Sequence, residues 1–110
     1  KAKKGIIYDN KKNYKDFISI QKFCEIINMI ILKDLKGTFN VSIGKKVYLN
    51  ELVKWLNHFN KRKIKIIYYN KDRSGNFYLN NKKLMSKIKI TNDLESLRKD
   101  SINLSKRLFK

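Results

Sequence analysis

The stretch VYLNELVKWLNHFNKRKIKIIYY, Val47 to Tyr69, decides the fold class, because its hydrophobic period changes part-way along. From Val47 to Phe59 the apolar residues Leu49, Leu52, Val53, Leu56 and Phe59 recur at three- and four-residue steps, with Trp55 beside them. That spacing predicts an amphipathic helix. From Arg62 to Tyr69 the period is two. Ile64, Ile66 and Tyr68 share one face, and Lys63, Lys65, Ile67 and Tyr69 the other, which predicts a strand.

Working outward, Tyr14 to Leu35 carries Phe17, Ile20, Phe23, Cys24, Ile27, Ile30, Ile31 and Leu35 at helical spacing, with Gly37 placed to end that helix. Thr38 to Ile43 alternates and reads as a strand, turning at Gly44-Lys45-Lys46. After Tyr69, the polar stretch NKDRSGN reads as a loop pivoting on Gly75. Short strands are expected at Phe77–Leu79 and Leu84–Ile90. Asn92 with Glu95 resembles a capping box that opens a last helix along Leu94, Leu97, Leu104 and Leu108. Gly5–Tyr8 reads as a short strand within an arm over 1–13. The sum is an α+β chain: a small mixed sheet of three to five strands covered by two or three amphipathic helices. One domain over 1–110 is expected, with a basic helix over 93–110.

Charge bounds the function more tightly than the fold does. Twenty-seven Lys and Arg against nine Asp and Glu give a net charge of +18 over 110 residues, and the sequence pI is about 10.1. A folded chain sustains such self-repulsion when a polyanion neutralises it, and nucleic acid is the commonest one. The cations are interleaved with apolar residues from end to end, as in a basic globular domain. Usage is skewed to 23 Lys against 4 Arg, with 15 Ile, 13 Asn, one Ala and no Pro. These residues share A/T-rich codons, so an organellar or otherwise A/T-rich genome is expected. Part of the lysine excess then reflects codon drift rather than phosphate contact.

The candidate nucleic-acid-binding residues are the clustered cations Lys45, Lys46, Lys61, Arg62, Lys63, Lys65, Lys71, Arg73, Lys87 and Lys89. Lys45 and Lys46 sit at a turn before a helix, where ammonium groups and backbone N–H groups can face one phosphate. If the later strands adjoin, these lysines form one basic face continued by Lys82 and Lys83. Tyr68-Tyr69 and Phe77-Tyr78 could stack on bases, with Tyr69 and Tyr78 the candidates for the exposed position.

Catalysis is not expected. The chain has one cysteine, Cys24, expected in the core, and one histidine, His58, expected on a helix surface. Such a complement cannot build a His/Cys metal centre, the acids form no nuclease-like pattern, and no glycine-rich phosphate loop is present. No cofactor, metal or small-molecule substrate is expected. The longest apolar run, Ile26 to Leu32, is too short to cross a bilayer.

The stretch from about Phe23 to Asp93 resembles the N-terminal domain of small-subunit ribosomal protein eight in a divergent organellar form. The turn Val41-Ser42-Ile43-Gly44-Lys45-Lys46, the strand Ile64–Tyr69 with NKDRSGN, and the pair Asn76-Phe77-Tyr78-Leu79 and Leu84-Met85-Ser86-Lys87-Ile88-Lys89-Ile90 carry the likeness. That family has Pro where Gly44 stands, and Ser-Lys-Pro where Thr91-Asn92-Asp93 follows Ile90. Its second domain has no counterpart in this chain. The resemblance implies a ribosomal RNA-binding role without catalysis, rRNA and neighbouring ribosomal proteins as partners, and a place in a mitochondrial or other organellar ribosome. Two rivals remain open: a DNA-binding module of a phage, virus or mobile element, and a basic assembly subunit whose helix stripes face other proteins.

Overall fold

The computed structural model describes residues 6–9 as backbone, 11–61, 63–68 and 76–109. The chain is α+β. Its elements run β1 (Ile6–Asp9), β2 (Tyr14–Lys15), α1 (Ile20–Leu32), β3 (Val47–Tyr48), α2 (Leu49–Leu56), β4 (Lys65–Tyr68), α3 (Lys82–Met85) and α4 (Leu94–Phe109). The strands form two separate pairs. β1 runs parallel to β4 with Ile6 opposite Lys65, and β2 runs antiparallel to β3 with Tyr14 opposite Tyr48. β1 falls inside the segment expected as an arm, and its backbone is paired.

The helix and strand read from Val47–Tyr69 are both present, each trimmed. Val47 is taken by β3, so α2 begins at Leu49; it ends before Asn57, whose amide holds the start of β4. Asn57 donates its Nδ2 to the Ile64 carbonyl and accepts the Ile64 N–H at Oδ1, each at 3.1 Å. A side-chain amide thus supplies the two hydrogen bonds that a neighbouring strand would give. Asn76 repeats the device, donating to the Lys12 carbonyl at 3.0 Å and accepting the Tyr14 N–H at 3.2 Å.

Three expected strands are not formed. Leu84 and Ile88 are four residues apart as well as sharing an even register, and the helical choice prevails. α3 turns the chain so that both are buried with Ile26, a contact that an extended Leu84–Ile90 would not make. Phe77–Leu79 is extended but unpaired, because the Leu79 N–H donates to the Asp16 carboxylate at 3.1 Å. Thr38–Ile43 likewise forms no ladder, since the N–H groups of Ile43 and Gly44 go to the same carboxylate at 3.0 Å each. The strand pair quoted for the ribosomal-protein likeness is therefore a helical turn and a loop. Asp16 replaces the sheet at that point as the acceptor that gathers three segments.

Two small core clusters hold the chain. Ile26, Leu84 and Ile88 form one, and Ile43, Val47 and Leu97 the other, while Ile18 packs against both. The inward face of α1 differs from the expected one. Phe17, Ile30 and Leu35 do pack inward, but the fully buried residue is Ile26. Ile20 is 74% and Ile31 69% exposed, and Cys24 is exposed rather than a core thiol. α1 is apolar on two faces, and packing uses one of them.

Helix ends also differ in detail. α1 closes on Asp34 rather than Gly37. With φ at 51°, Asp34 lets its own N–H reach the Ile31 carbonyl and the Leu35 N–H reach the Ile30 carbonyl, the two bonds of a Schellman close. α4 is capped one residue later than expected. Asp93 accepts the Ser96 N–H at 2.8 Å and donates its own N–H to the Ser96 hydroxyl at 3.1 Å, while Asn92 is buried and donates to the Ser42 carbonyl. α4 packs on α2 through Leu97, Ser101 and Ser105, whose small side chains permit a close approach. The Ser105 hydroxyl accepts the Phe59 N–H just beyond α2 at 3.0 Å.

Candidate nucleic-acid interface

Salt bridges join Lys22 to Glu25, Lys36 to Asp34 and Arg98 to Glu95. Other acids serve the backbone and hydroxyls: Asp16 holds N–H groups, Asp93 caps α4, and Asp100 accepts the Ser19 hydroxyl at 2.7 Å.

Of the candidates read from sequence, Lys45, Lys46 and Tyr78 come together. Gly44 turns the chain at φ 71°, where a Cβ would lie 2.7 Å from the Asn81 amide oxygen. That turn projects Lys45 and Lys46 outward, both exposed. The Lys46 ammonium stands 4.9 Å from the centre of the Tyr14 ring and 6.0 Å from that of Tyr78. Tyr14 meets Tyr48 edge to face at 5.6 Å, and Lys15 lies 4.9 Å above the Phe77 ring. Beside this group Lys45, Tyr78, Asn80 and Lys82 line an open cleft of about 630 Å³.

A separate lysine–ring pair lies at the β1–β4 pair. Lys11, held at φ 65°, places its ammonium 4.6 Å from the Tyr68 ring. Lysine thus meets a ring at three places, Lys11 with Tyr68, Lys15 with Phe77, and Lys46 with Tyr14 and Tyr78, and Tyr14 and Lys15, successive residues of β2, point to opposite faces. The backbone beneath is fixed by Asn76, by the β2–β3 pair and by Asp16. Three backbone N–H groups occupy the oxygens of Asp16.

The other candidates lie elsewhere. Lys61 and Lys65 are exposed at the α2–β4 junction. Lys63 caps the chain after α2, donating to the Asn57 carbonyl at 2.7 Å and the Asn60 carbonyl at 3.3 Å, which is structural use of the ammonium. Lys87 and Lys89 are exposed on the segment after α3. Among the described residues the later strands do not adjoin as expected, because β4 pairs with β1 and 84–90 is not a strand. Arg62, Tyr69, Lys71 and Arg73 lie outside the described residues. Sequence reasoning missed Lys15, Tyr14 and Tyr48. The run Lys11-Lys12-Asn13-Tyr14-Lys15 was the available signal, hidden because Tyr14 was assigned to the first helix.

His58 is exposed and meets the Phe59 ring edge-on at 4.8 Å. Among the described residues no group of three His, Cys, Asp or Glu is placed to hold a metal ion, and no helix is long and apolar enough to cross a membrane. No protein-family model matches the chain, and comparisons with curated proteins and with solved structures return no match.

Proposed function

We propose that this protein is a structural RNA-binding component of a ribonucleoprotein, a ribosomal one in the first instance, that neutralises and positions RNA. The observation that carries the reading is a net charge of +18 over 110 residues, with the exposed Lys45 and Lys46 set beside the rings of Tyr14 and Tyr78. The likeness to ribosomal protein eight adds little weight, since its strand pair is not formed here. The A/T-rich residue usage suits an organellar ribosome or another lineage of that composition.

Filter binding of a structured RNA across a salt series tests the proposal. Affinity should fall linearly in log–log form with salt, and duplex DNA of equal length should bind more weakly. Charge reversal of Lys45, Lys46 and Lys82 together should lower the magnitude of the slope and weaken binding at least tenfold, with the circular dichroism spectrum unchanged. Equal affinity for both nucleic acids would favour the DNA-binding reading. Salt-independent retention, or none, would remove the proposal.

One observation favours an added role in protein assembly. The outer face of α1 exposes Ile20, Ile31 and Leu32, each at 69% or more, which suits a neighbouring protein in the same particle. Ile20→Lys with Ile31→Lys should leave RNA affinity unchanged and reduce incorporation into the native particle. Full incorporation of the double variant would exclude that role.

A further inference from the structure

We infer that the lysine–aromatic strip around Lys46 engages unpaired nucleotides, stacking bases on Tyr78 and Tyr48 while Lys45 and Lys46 hold the phosphates; this rests on the RNA-binding reading and specifies what its site recognises. A surface built only to neutralise a duplex needs cations, because the duplex presents phosphates and keeps its bases stacked inside. This strip carries aromatic rings in equal measure. Phe77 is 47% and Tyr78 51% exposed, and Tyr48 and Tyr68 are also exposed.

The geometry matches what a single strand offers. A nucleotide is an apolar, polarisable face joined through a sugar to an anion, and the strip sets the Lys46 ammonium 4.9 Å from the Tyr14 ring and 6.0 Å from the Tyr78 ring. Aromatic platforms in a basic groove are the general solution for binding unpaired strands. The strip is also pre-formed, since Asn76 fixes 12–14, β3 fixes Tyr14, and Asp16 fixes 43–44 and 79. Little ordering entropy then opposes binding. The Asp16 carboxylate would repel a phosphate if it faced outward, but its two oxygens are occupied by the N–H groups of Ile43, Gly44 and Leu79. Lys11 adds a further indication. It holds a left-handed backbone that a lysine adopts at a cost, and strain of that kind collects at binding sites.

The test compares a uridine homopolymer with an RNA duplex of equal charge at one salt concentration, by fluorescence anisotropy. The variants are Tyr48→Leu and Tyr78→Leu, which keep apolar bulk and remove the stacking face, with Lys45→Gln/Lys46→Gln as the charge control. The wild type should prefer the single strand. Each leucine variant should weaken homopolymer binding by about 5- to 100-fold, leave its salt slope unchanged, and leave duplex binding unchanged. The glutamine pair should instead lower the slope for both ligands. Equal binding of both ligands, untouched by the leucine variants, would overturn the inference and leave the RNA-binding reading standing. Binding of neither ligand would overturn both.

Discussion

Lys11, Asp34, Gly37 and Gly44 are the described residues with positive φ, and they separate what stability needs from what function needs. Gly44 must be glycine for two reasons: its φ, and the Asn81 side chain 2.7 Å from where a Cβ would stand. Asn81 cannot step aside freely, because its Nδ2 is bonded to the Ser42 carbonyl at 2.8 Å. Gly44→Ala should therefore cost about 2 kcal/mol or more in urea unfolding. Asp34 presents the opposite case. It is exposed, and its pair with Lys36 is fully in solvent and weak. Asp34→Gly should relieve the left-handed cost and raise stability by about 0.5–1 kcal/mol. Lys11→Gly should be neutral or stabilising in the same assay yet weaken nucleotide binding, whereas a purely structural Lys11 would leave binding unchanged. Cys24, exposed on α1, should react with a thiol reagent in the native protein nearly as fast as in the unfolded chain. Strong protection would restore the core assignment that the sequence suggested.

At the scale of elements, asparagine does the work that strand ladders do in sheet-rich folds. Asn57 holds β4, Asn76 holds β2, and Asn81 and Asn92 both donate to the Ser42 carbonyl. Composition alone ties the 13 asparagines to A/T-rich codons. Asn57→Asp keeps the shape and replaces a donor with a charge facing the Ile64 carbonyl, so it should destabilise by about 2–3 kcal/mol. Ser105 sets the α2–α4 distance. It is completely buried, so Ser105→Leu should overpack the contact and cost about 1–3 kcal/mol. The first turn of α4 has an acid suited to the positive helix end. Arg98 donates to both oxygens of Glu95, at 3.1 and 2.8 Å, and holds its carboxyl below the usual range. That small contribution is present at neutral pH and fades as pH falls through the lowered value, because the carboxylate is then protonated.

At the scale of the molecule, the surface is large for the mass. It amounts to 8191 Å², where a compact monomer of 13.2 kDa exposes about 6,400 Å². The buried apolar residues among those described are Ile26, Ile43, Val47, Val53, Leu84, Ile88 and Leu97, a thin core opposed by the repulsion of eighteen uncompensated charges. Ile18 touches both core clusters, so Ile18→Ala should loosen them together and cost about 2–4 kcal/mol. A bound polyanion should compensate. RNA at about 100 times its dissociation constant should stabilise the fold by about 2.7 kcal/mol, raising Tm by about 10 °C. An unchanged Tm under those conditions would mean that the folded form has no preference for RNA.

The sequence by itself determined the charge, the helices near 20–32, 49–56 and 94–109, and the switch to period two after Arg62, because these are properties of composition and of neighbours within a turn or two. Tertiary structure alone decided three other matters. Leu84-Met85-Ser86-Lys87-Ile88-Lys89-Ile90 satisfies both periods, and burial of Leu84 and Ile88 against Ile26 selects the turn. α1 is apolar nearly all round, so no local pattern tells which face is inside; the positions of Ile18, Leu84 and Ile88 choose Ile26. The contacts of Lys15 with Phe77, and of Lys46 with Tyr14 and Tyr78, bring together residues far apart in the chain. Their meeting depends on Asp16 and Asn76 drawing three loops together through side-chain-to-backbone bonds, which leave no periodic trace in a sequence.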